Sequence, residues 1–351
     1  MRVGLSLLTL IPGISGGSET YARELARALV RIGTHDYLAL VPPLAPDAGE
    51  GLPTIVAERY SSSTTTAGRL RAMGAAALRP AHLRSLLNGV DVVHFPLTVP
   101  VPRPTKPHVI TLHDVQHLDL PDLFPRGERL FRKLAYDRAS RRATEVIVVS
   151  EFVRERVVER LGLDPARVHA IWLGVDHDRF TPSPGVEREP LLLYPARPWP
   201  HKNHARLLEA FAEIRRRRPE LRLLLTGAGH DPRSLPDGVE ARSVSGTELV
   251  DLYRRAACLV FPSLYEGFGL PPVEAMACGC PVAAAAAGSL PEVCGDAAVL
   301  FDPLDSEAIA AGVDEALARS AELGERGLRR AATFTWDETA RAHDRVYSTV
   351  T

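Results

Sequence analysis

Residues 264–282 read LYEGFGLPPVEAMACGCPV. An apolar run, CLVFPS (258–263), leads into them, and its length suits a buried strand. Gly267 and Gly269 then let the backbone turn tightly or approach a ligand closely. Pro271 and Pro272 follow, where a missing N–H costs a helix start nothing. The stretch predicts a strand, a glycine turn and a helix, with Glu266 in the turn and Glu274 near the first helical turn. The free N–H groups of a helix start favour an anion, and two carboxylates beside them would accept hydrogen bonds from hydroxyls. A phosphorylated sugar meets both requirements. The plainer reading is a glycine turn with a Glu that only stabilises its helix.

Strand-helix alternation continues in both directions. VGLSLLTL (3–10), DVVHFP (91–96), HVITLHD (108–114) and EVIVVS (145–150) read as buried parallel strands of a first block. LLLYPA (191–196), LRLLLTG (221–227), CLVFPS and PVAAAA (281–286) read the same way in a second. Between them lie helical patterns: SETYARELARALVRIG, RLFRKLAYDRASRRA, HARLLEAFAEIRRRR and TELVDLYRRAA. Two doubly wound α/β units follow. The Pro-, Gly- and charge-rich stretch 174–190 suits the break. This places one domain at 1–180 and a second at 181–334, and the segment 42–68 reads as loop.

Bulk properties narrow the class. The 351 residues carry 42 Lys and Arg against 43 Asp and Glu, a formal net charge of -1, which argues against nucleic acid as the partner. Four cysteines, at 258, 278, 280 and 294, lie in apolar or helical runs without a C-x-x-C pair. They read as buried small residues of a reduced, intracellular chain, not as a disulfide framework or a metal site. MRVGLSLLTLIPG reads as a first strand and not a signal peptide, and no run of about 18 apolar residues is present. A cytoplasmic location is expected.

In doubly wound sheets ligands bind beyond the carboxyl ends of the strands. Polar or glycine-rich residues there are Gly16-Gly17, His113-Asp114, Ser150, Arg197 with Lys202, and Gly227. Arg197 and Lys202, in YPARPWPHKNH, put two cations at a helix start, where they suit phosphate oxygens. A solvated basic loop is the plainer alternative. TGAGHD lacks the third glycine of a dinucleotide fingerprint. Asp176-His177-Asp178 matches D-x-D, a metal-binding pair elsewhere, but lies in the expected linker. RLFRKLAYDRASRR carries six basic residues over 14 positions. A solvated face is its default reading, and contact with an anionic membrane the second. GISGGSETYARELA also satisfies G-x-S-x-G at Gly13, Ser15 and Gly17. With His343 and an Asp such as Asp302, it opens an alternative from another class, an α/β hydrolase using Ser15 as nucleophile.

The run EGFGLPPVE resembles the E-x7-E motif of the family 4 retaining glycosyltransferases, and the flanks LYRRAACLVFPSLY and SLPEVCGDAAVLFDPLD resemble that family too. WPHKNH and the pair His113 and His117 match its mannosyl- and rhamnosyltransferase-like branch. The resemblance implies a GT-B fold: two Rossmann-like domains facing a central cleft, the first binding the acceptor and the second the nucleotide sugar. It implies a terminal helix, about 335–351, that packs back on the first domain, with Trp336 as its signature. Glu274 would hold ribose hydroxyls and Glu266 those of the transferred hexose, with the backbone amides of Phe268, Gly269 and Leu270 near sugar and phosphate. Arg197 and Lys202 would face the diphosphate. Gly16, Gly17, Gly227 and Gly267 would complete the donor side, and Tyr21, Asp114 and His117 the acceptor side. His113 would lie beside the reacting carbon. The donor would be a GDP-, dTDP- or UDP-sugar, with no cofactor, no metal and no obligatory enzyme nucleophile. Pro195-Ala196 replaces a glycine usual in the family, and AAAAAG (283–288) lacks polar residues often found there.

Overall fold

The computed structural model describes residues 1–14 and 16–350. The chain divides into two compact units, Met1–Gly174 with Trp336–Thr351, and Val175–Thr335. Each is built around one parallel sheet flanked by helices.

The first unit contains β1 (Arg2–Ser6), β2 (Asp36–Val41), β3 (Thr54–Val56), β4 (Val92–Phe95), β5 (His108–Leu112), β6 (Glu145–Val148) and β7 (Val168–Ala170). Their order is β3-β2-β1-β4-β5-β6-β7, all parallel. The central strands are apolar without alternation because helices cover both faces. Sequence order reverses between β1 and β4, which marks the switch point where doubly wound sheets bind ligands. Helix Gly17–Ile32 buries Tyr21, Ala22, Leu25 and Leu29. Against it packs the C-terminal helix Trp336–Thr349, which buries Trp336, Ala340, Val346 and Tyr347. Asp344 of that helix accepts from the Thr34 N–H at 2.8 Å, the Thr34 hydroxyl at 2.9 Å and the Tyr37 hydroxyl.

The second unit contains β8 (Glu189–Pro195), β9 (Arg222–Thr226), β10 (Val239–Arg242), β11 (Ala256–Phe261), β12 (Val282–Ala285) and β13 (Val299–Phe301). The order β10-β9-β8-β11-β12-β13 is again parallel, with the reversal between β8 and β11. β11 is the strand that opens onto LYEGFGLPP.

Five strands, β2, β3, β7, β10 and β13, go beyond the eight read from the sequence. β3, β7, β10 and β13 lie at or next to a sheet edge and have three or four residues, too few for a periodic signal. β3 also falls inside the expected 42–68 loop, which corrects that reading. The basic stretch is not one regular helix: Arg126–Arg132 and Arg138–Arg142 are joined by a π turn, Lys133–Asp137. Arg132 turns inward there, 4.7 Å from the Phe124 ring and 5.4 Å from the Tyr136 ring, and pairs with Asp114 at 3.3 Å and Glu128 at 3.1 Å. All four cysteines are buried free thiols. Burial pushes the Cys278 and Cys294 thiols up to about 12.

Candidate active site

β8 and β11 flank the switch point of the second unit, and the loops leaving them carry the acidic and basic candidates. After β8, Trp199 N–H donates to Arg197 O at 2.7 Å and Lys202 N–H to Trp199 O at 2.9 Å, so the two prolines fold the loop into a compact turn. The Arg197 guanidinium lies 5.8 Å from the Trp199 ring. Asn203 then adopts a left-handed conformation, φ 60°, and opens helix His204–Arg217. Its side-chain amide donates to Pro262 O at 3.1 Å and Pro303 O at 2.7 Å, tying together the loops after β8, β11 and β13. The Tyr194 hydroxyl donates to Lys202 O at 2.7 Å, and Leu264 N–H to His201 O at 2.8 Å.

That bracing brings Lys202 Nζ to 2.5 Å from Glu266 Oε1. The two side chains are only 14% and 13% exposed, so the pair is mostly shielded from water and its charges interact strongly. Glu266 is held from behind as well. Ser289 N–H donates to Glu266 O at 3.2 Å, and Ser289 Oγ to Phe268 O at 2.9 Å. Gly288 has φ +62°, and a Cβ there would stand 2.7 Å from Glu266 N, so only glycine fits. Gly269 is left-handed, φ 96°, and starts the helix Leu270–Ala277 with the two prolines in its first turn. Phe268 is buried edge-on against Phe334 with 5.6 Å between ring centres, which fixes the loop backbone beside Gly267. Leu270 is the first helical residue, so its N–H is among those without a helical acceptor.

Glu274 lies one turn on. Its Oε2 accepts from the buried Tyr253 hydroxyl at 2.9 Å. Burial raises the Glu274 carboxyl above the usual range, against the lowering effect of that bond and of Arg179. Gly227, with φ +142°, follows β9; a Cβ there would meet Ala196 O at 2.8 Å. The turn after β9 therefore lies against the backbone at Ala196, with no room for a side chain at position 227.

In the first unit Gly16 has φ 56° and open space around it, so backbone conformation alone selects glycine. Gly17 is the first residue of the following helix. Glu19 reaches back to accept from Gly13 N–H at 2.8 Å. His113 follows β5, and its Nε2 donates to Pro96 O at 2.8 Å. Burial lowers its pKa, so the ring is neutral near pH 7 and Nδ1 is an acceptor. Asp114 accepts from Gln116 N–H at 3.0 Å and from Arg132. Two acceptor-side candidates face inward. Tyr21 is wholly buried and its hydroxyl is bonded to Thr111 and His343, both at 2.7 Å. His117 is buried against Asp137 at 2.9 Å. Direct contact of these two with an acceptor does not fit that burial. Ser150 caps helix Glu151–Leu161, accepting from Val153 N–H at 3.2 Å.

A cavity of about 600 Å³ opens in the same unit. Leu8, Ile11, Met73 and Phe131 form apolar walls, with Thr9, Ser62 and Thr66 hydroxyls and the Arg69 guanidinium among them.

Other candidates resolve differently. Asp176 Oδ1 accepts from Asp178 N–H at 3.1 Å and Arg179 N–H at 3.3 Å, so it closes a turn. Among the described residues no group of three or more His, Cys, Asp or Glu could hold a metal ion. Ser15 lies outside the described residues. The hydrolase reading loses support from its partner: His343 is buried with both ring nitrogens bonded, to Tyr21 and to Thr339 O. Asp302 closes a turn on Leu304 N–H at 2.8 Å.

The sequence reading missed Asn203, Tyr253, Gly288 and Ser289. Each was visible only as a residue beside a motif: Asn203 inside WPHKNH, and Gly288-Ser289 just after the alanine tract.

Residues 15–179 match the family described as Glycosyltransferase Family 4, and residues 177–331 that described as Glycosyl transferases group 1. The chain is 32% identical to O-antigen chain mannosyltransferase B of Escherichia coli, over 65% of this chain and 67% of that protein. It is 30% identical to a D-inositol 3-phosphate glycosyltransferase of Actinosynnema mirum over 93% and 90%. Over two further relatives it spans only 55% and 58% of their length. The crystal structure of Anabaena HepE in complex with UDP and glucose superposes with a TM-score of 0.73 at 17% identity, covering 99% of this chain and 100% of that one.

Proposed function

Since the chain belongs to the family 4 and group 1 glycosyltransferases, with the GT-B fold of two Rossmann-like units, we propose that it is a retaining hexosyltransferase. It moves mannose, rhamnose or a similar hexose from a GDP-, dTDP- or UDP-sugar to a hydroxyl acceptor, in glycan, glycolipid or natural-product biosynthesis. The observation that carries this reading is the Lys202–Glu266 pair, held at 2.5 Å between the two loops that flank the switch point of the second unit. A cation that can face a diphosphate stands beside a carboxylate that can accept from sugar hydroxyls.

In this reading Glu274 accepts from the ribose hydroxyls, and Tyr253 keeps its second oxygen in place. Lys202 and Arg197 offset the charge of the diphosphate, while the N–H groups of Phe268, Gly269 and Leu270 face sugar and phosphate. Gly227 and Gly267 give the donor close access to backbone, and Gly16-Gly17 completes the donor side. His113 orients the transferred sugar through its Nδ1. The acceptor oxygen bonds to the anomeric carbon on the face from which the phosphate leaves, and the acceptor's proton passes to the departing phosphate oxygen. Configuration is thereby retained without an enzyme nucleophile, metal or cofactor. Stabilising the leaving diphosphate is the main work, and fixed charges do it at low reorganisation cost.

The acceptor belongs to the first unit, whose cavity of about 600 Å³ combines hydroxyls with apolar walls. Asp114 bounds that side through Arg132; Tyr21 and His117 support it from the interior. No helix of the described residues is long and apolar enough to cross a membrane. The reading is a cytoplasmic enzyme that reaches an anionic inner membrane face with its basic helical stretch; exposed Leu130 and Leu134 on that stretch favour contact.

A melting panel with GDP, UDP, dTDP and ADP tests the reading, since a ligand that binds only the native state raises Tm. One nucleoside diphosphate is expected to stabilise the protein, and its sugar conjugate to be hydrolysed slowly without acceptor. No shift with any of them, or product of inverted configuration, contradicts it.

A further inference from the structure

A buried chain of hydrogen bonds runs behind His113, and chemistry leaves it only one direction. Thr339 O, on the C-terminal helix, can only accept, so His343 Nδ1 carries a proton and donates to it at 2.7 Å. Burial holds His343 down to about 4, so near neutral pH its Nε2 is bare and accepts. The Tyr21 hydroxyl therefore donates to it at 2.7 Å. Having given its one proton, Tyr21 accepts from the Thr111 hydroxyl at 2.7 Å. Thr111 accepts in turn from His94 Nε2 at 2.8 Å. His94, also kept neutral by burial, accepts at Nδ1 from the Tyr347 hydroxyl at 2.8 Å. All five side chains are fully buried. A buried network is rigid when every member is satisfied and costly when one is lost.

The chain passes beside His113 at Tyr21, where the reacting sugar is assigned. The Tyr21 ring stands edge-on to the His113 imidazole, with 5.1 Å between centres and 83° between planes. The other side of His113 is fixed by its bond to Pro96 O. We propose that Tyr21, His343 and Tyr347 are positioning residues for His113. The chain sets the angle of the Tyr21 ring, and that ring sets the imidazole plane, with Nδ1 free to accept. The C-terminal helix, which supplies Thr339, His343 and Tyr347, thereby acts on the reaction as well as on the fold. This rests on the reading of His113 given above.

Histidine-labelled full-length protein provides a readout independent of turnover. Nitrogen shifts at pH 7 should show His343 as the neutral Nδ1–H tautomer, and His94 and His113 as neutral Nε2–H. A charged or Nε2–H His343 overturns the proposal. Turnover is read as acceptor-free hydrolysis of GDP-mannose, UDP-glucose or dTDP-glucose, whichever the protein cleaves. Tyr21→Phe should lower kcat about tenfold and Tyr347→Phe about threefold with donor KM unchanged, as expected when alignment and not binding is lost. In both, the His113 signals should shift toward mixed tautomers. Tyr37→Phe loosens the same helix through Asp344 while removing none of the chain's hydrogen bonds. It should lower Tm but leave kcat and the His113 signals alone. An equal loss of kcat in Tyr37→Phe would mean that helix seating alone matters, and would sink the proposal. Loss of turnover in His113→Ala with none in Tyr21→Phe overturns the positioning chain only. Full turnover in His113→Ala overturns the role of His113 and the proposal with it.

Discussion

Lys202 and Glu266 show how much one pair can be asked to do. Each is mostly enclosed, so removing either leaves the other a poorly solvated charge. Lys202→Met is expected to destabilise the protein by about 1–3 kcal/mol and to lower donor hydrolysis by about 100-fold, since it removes both a buried partner and a charge meant for the leaving group. Glu266→Gln should keep nucleotide binding and lose turnover. Denaturant melts and initial rates separate the two effects, and full activity in Lys202→Met would contradict the assignment. Both residues were legible in the sequence, because charged residues after apolar runs stand out. Tyr253 was not. It reads as one more apolar position of TELVDLYRRAA, and only folding brings its hydroxyl to Glu274 at 2.9 Å.

Elements carry a second layer of information. The Glu266 loop owes its place to the turn after β12, where Gly288 has φ +62° and no room for a Cβ. Gly288→Ala should therefore shift Glu266, costing about 1–3 kcal/mol of stability and most of the turnover. A crystal structure of the variant with Glu266 unmoved would refute that coupling. The central strands were readable as continuous apolar runs, but β3, β7, β10 and β13 were not, because three or four residues hold no period. The C-terminal helix was expected from the family resemblance, whereas its polar seating was not: nothing in one dimension shows that Asp344 and His343 are buried and bonded. That seating has a pH signature. His343 titrates near 4 in the folded chain against an ordinary 6.5, and His94 is lowered too, so the unfolded chain binds more protons in between. Stability should be lost as pH falls from about 6.5 toward 4. The fall in Tm over that range should shrink in His343→Leu once its lower starting stability is allowed for; an undiminished slope would assign the effect elsewhere.

At the scale of the whole molecule, two parallel sheets share the order of their first six strands, and in each the switch point lies near loops that carry candidates. That is why the fold was legible from alternation alone, and why family membership follows from both halves, residues 15–179 and 177–331. The proposed reaction would need no metal, because fixed cations at Lys202 and Arg197 would take on that work. Donor hydrolysis should persist in EDTA, and loss restored by Mg²⁺ or Mn²⁺ would reinstate a metal role. In the proposed reaction the second unit grips a nucleoside diphosphate at its ribose through Glu274. Isothermal titration of wild type, Glu274→Ala and Glu266→Ala with the diphosphate that raises Tm most tests it directly. Kd should weaken about 150-fold in Glu274→Ala, the low end for losing two hydroxyl bonds to a carboxylate, and stay nearly unchanged in Glu266→Ala. Wild-type affinity in Glu274→Ala would contradict it.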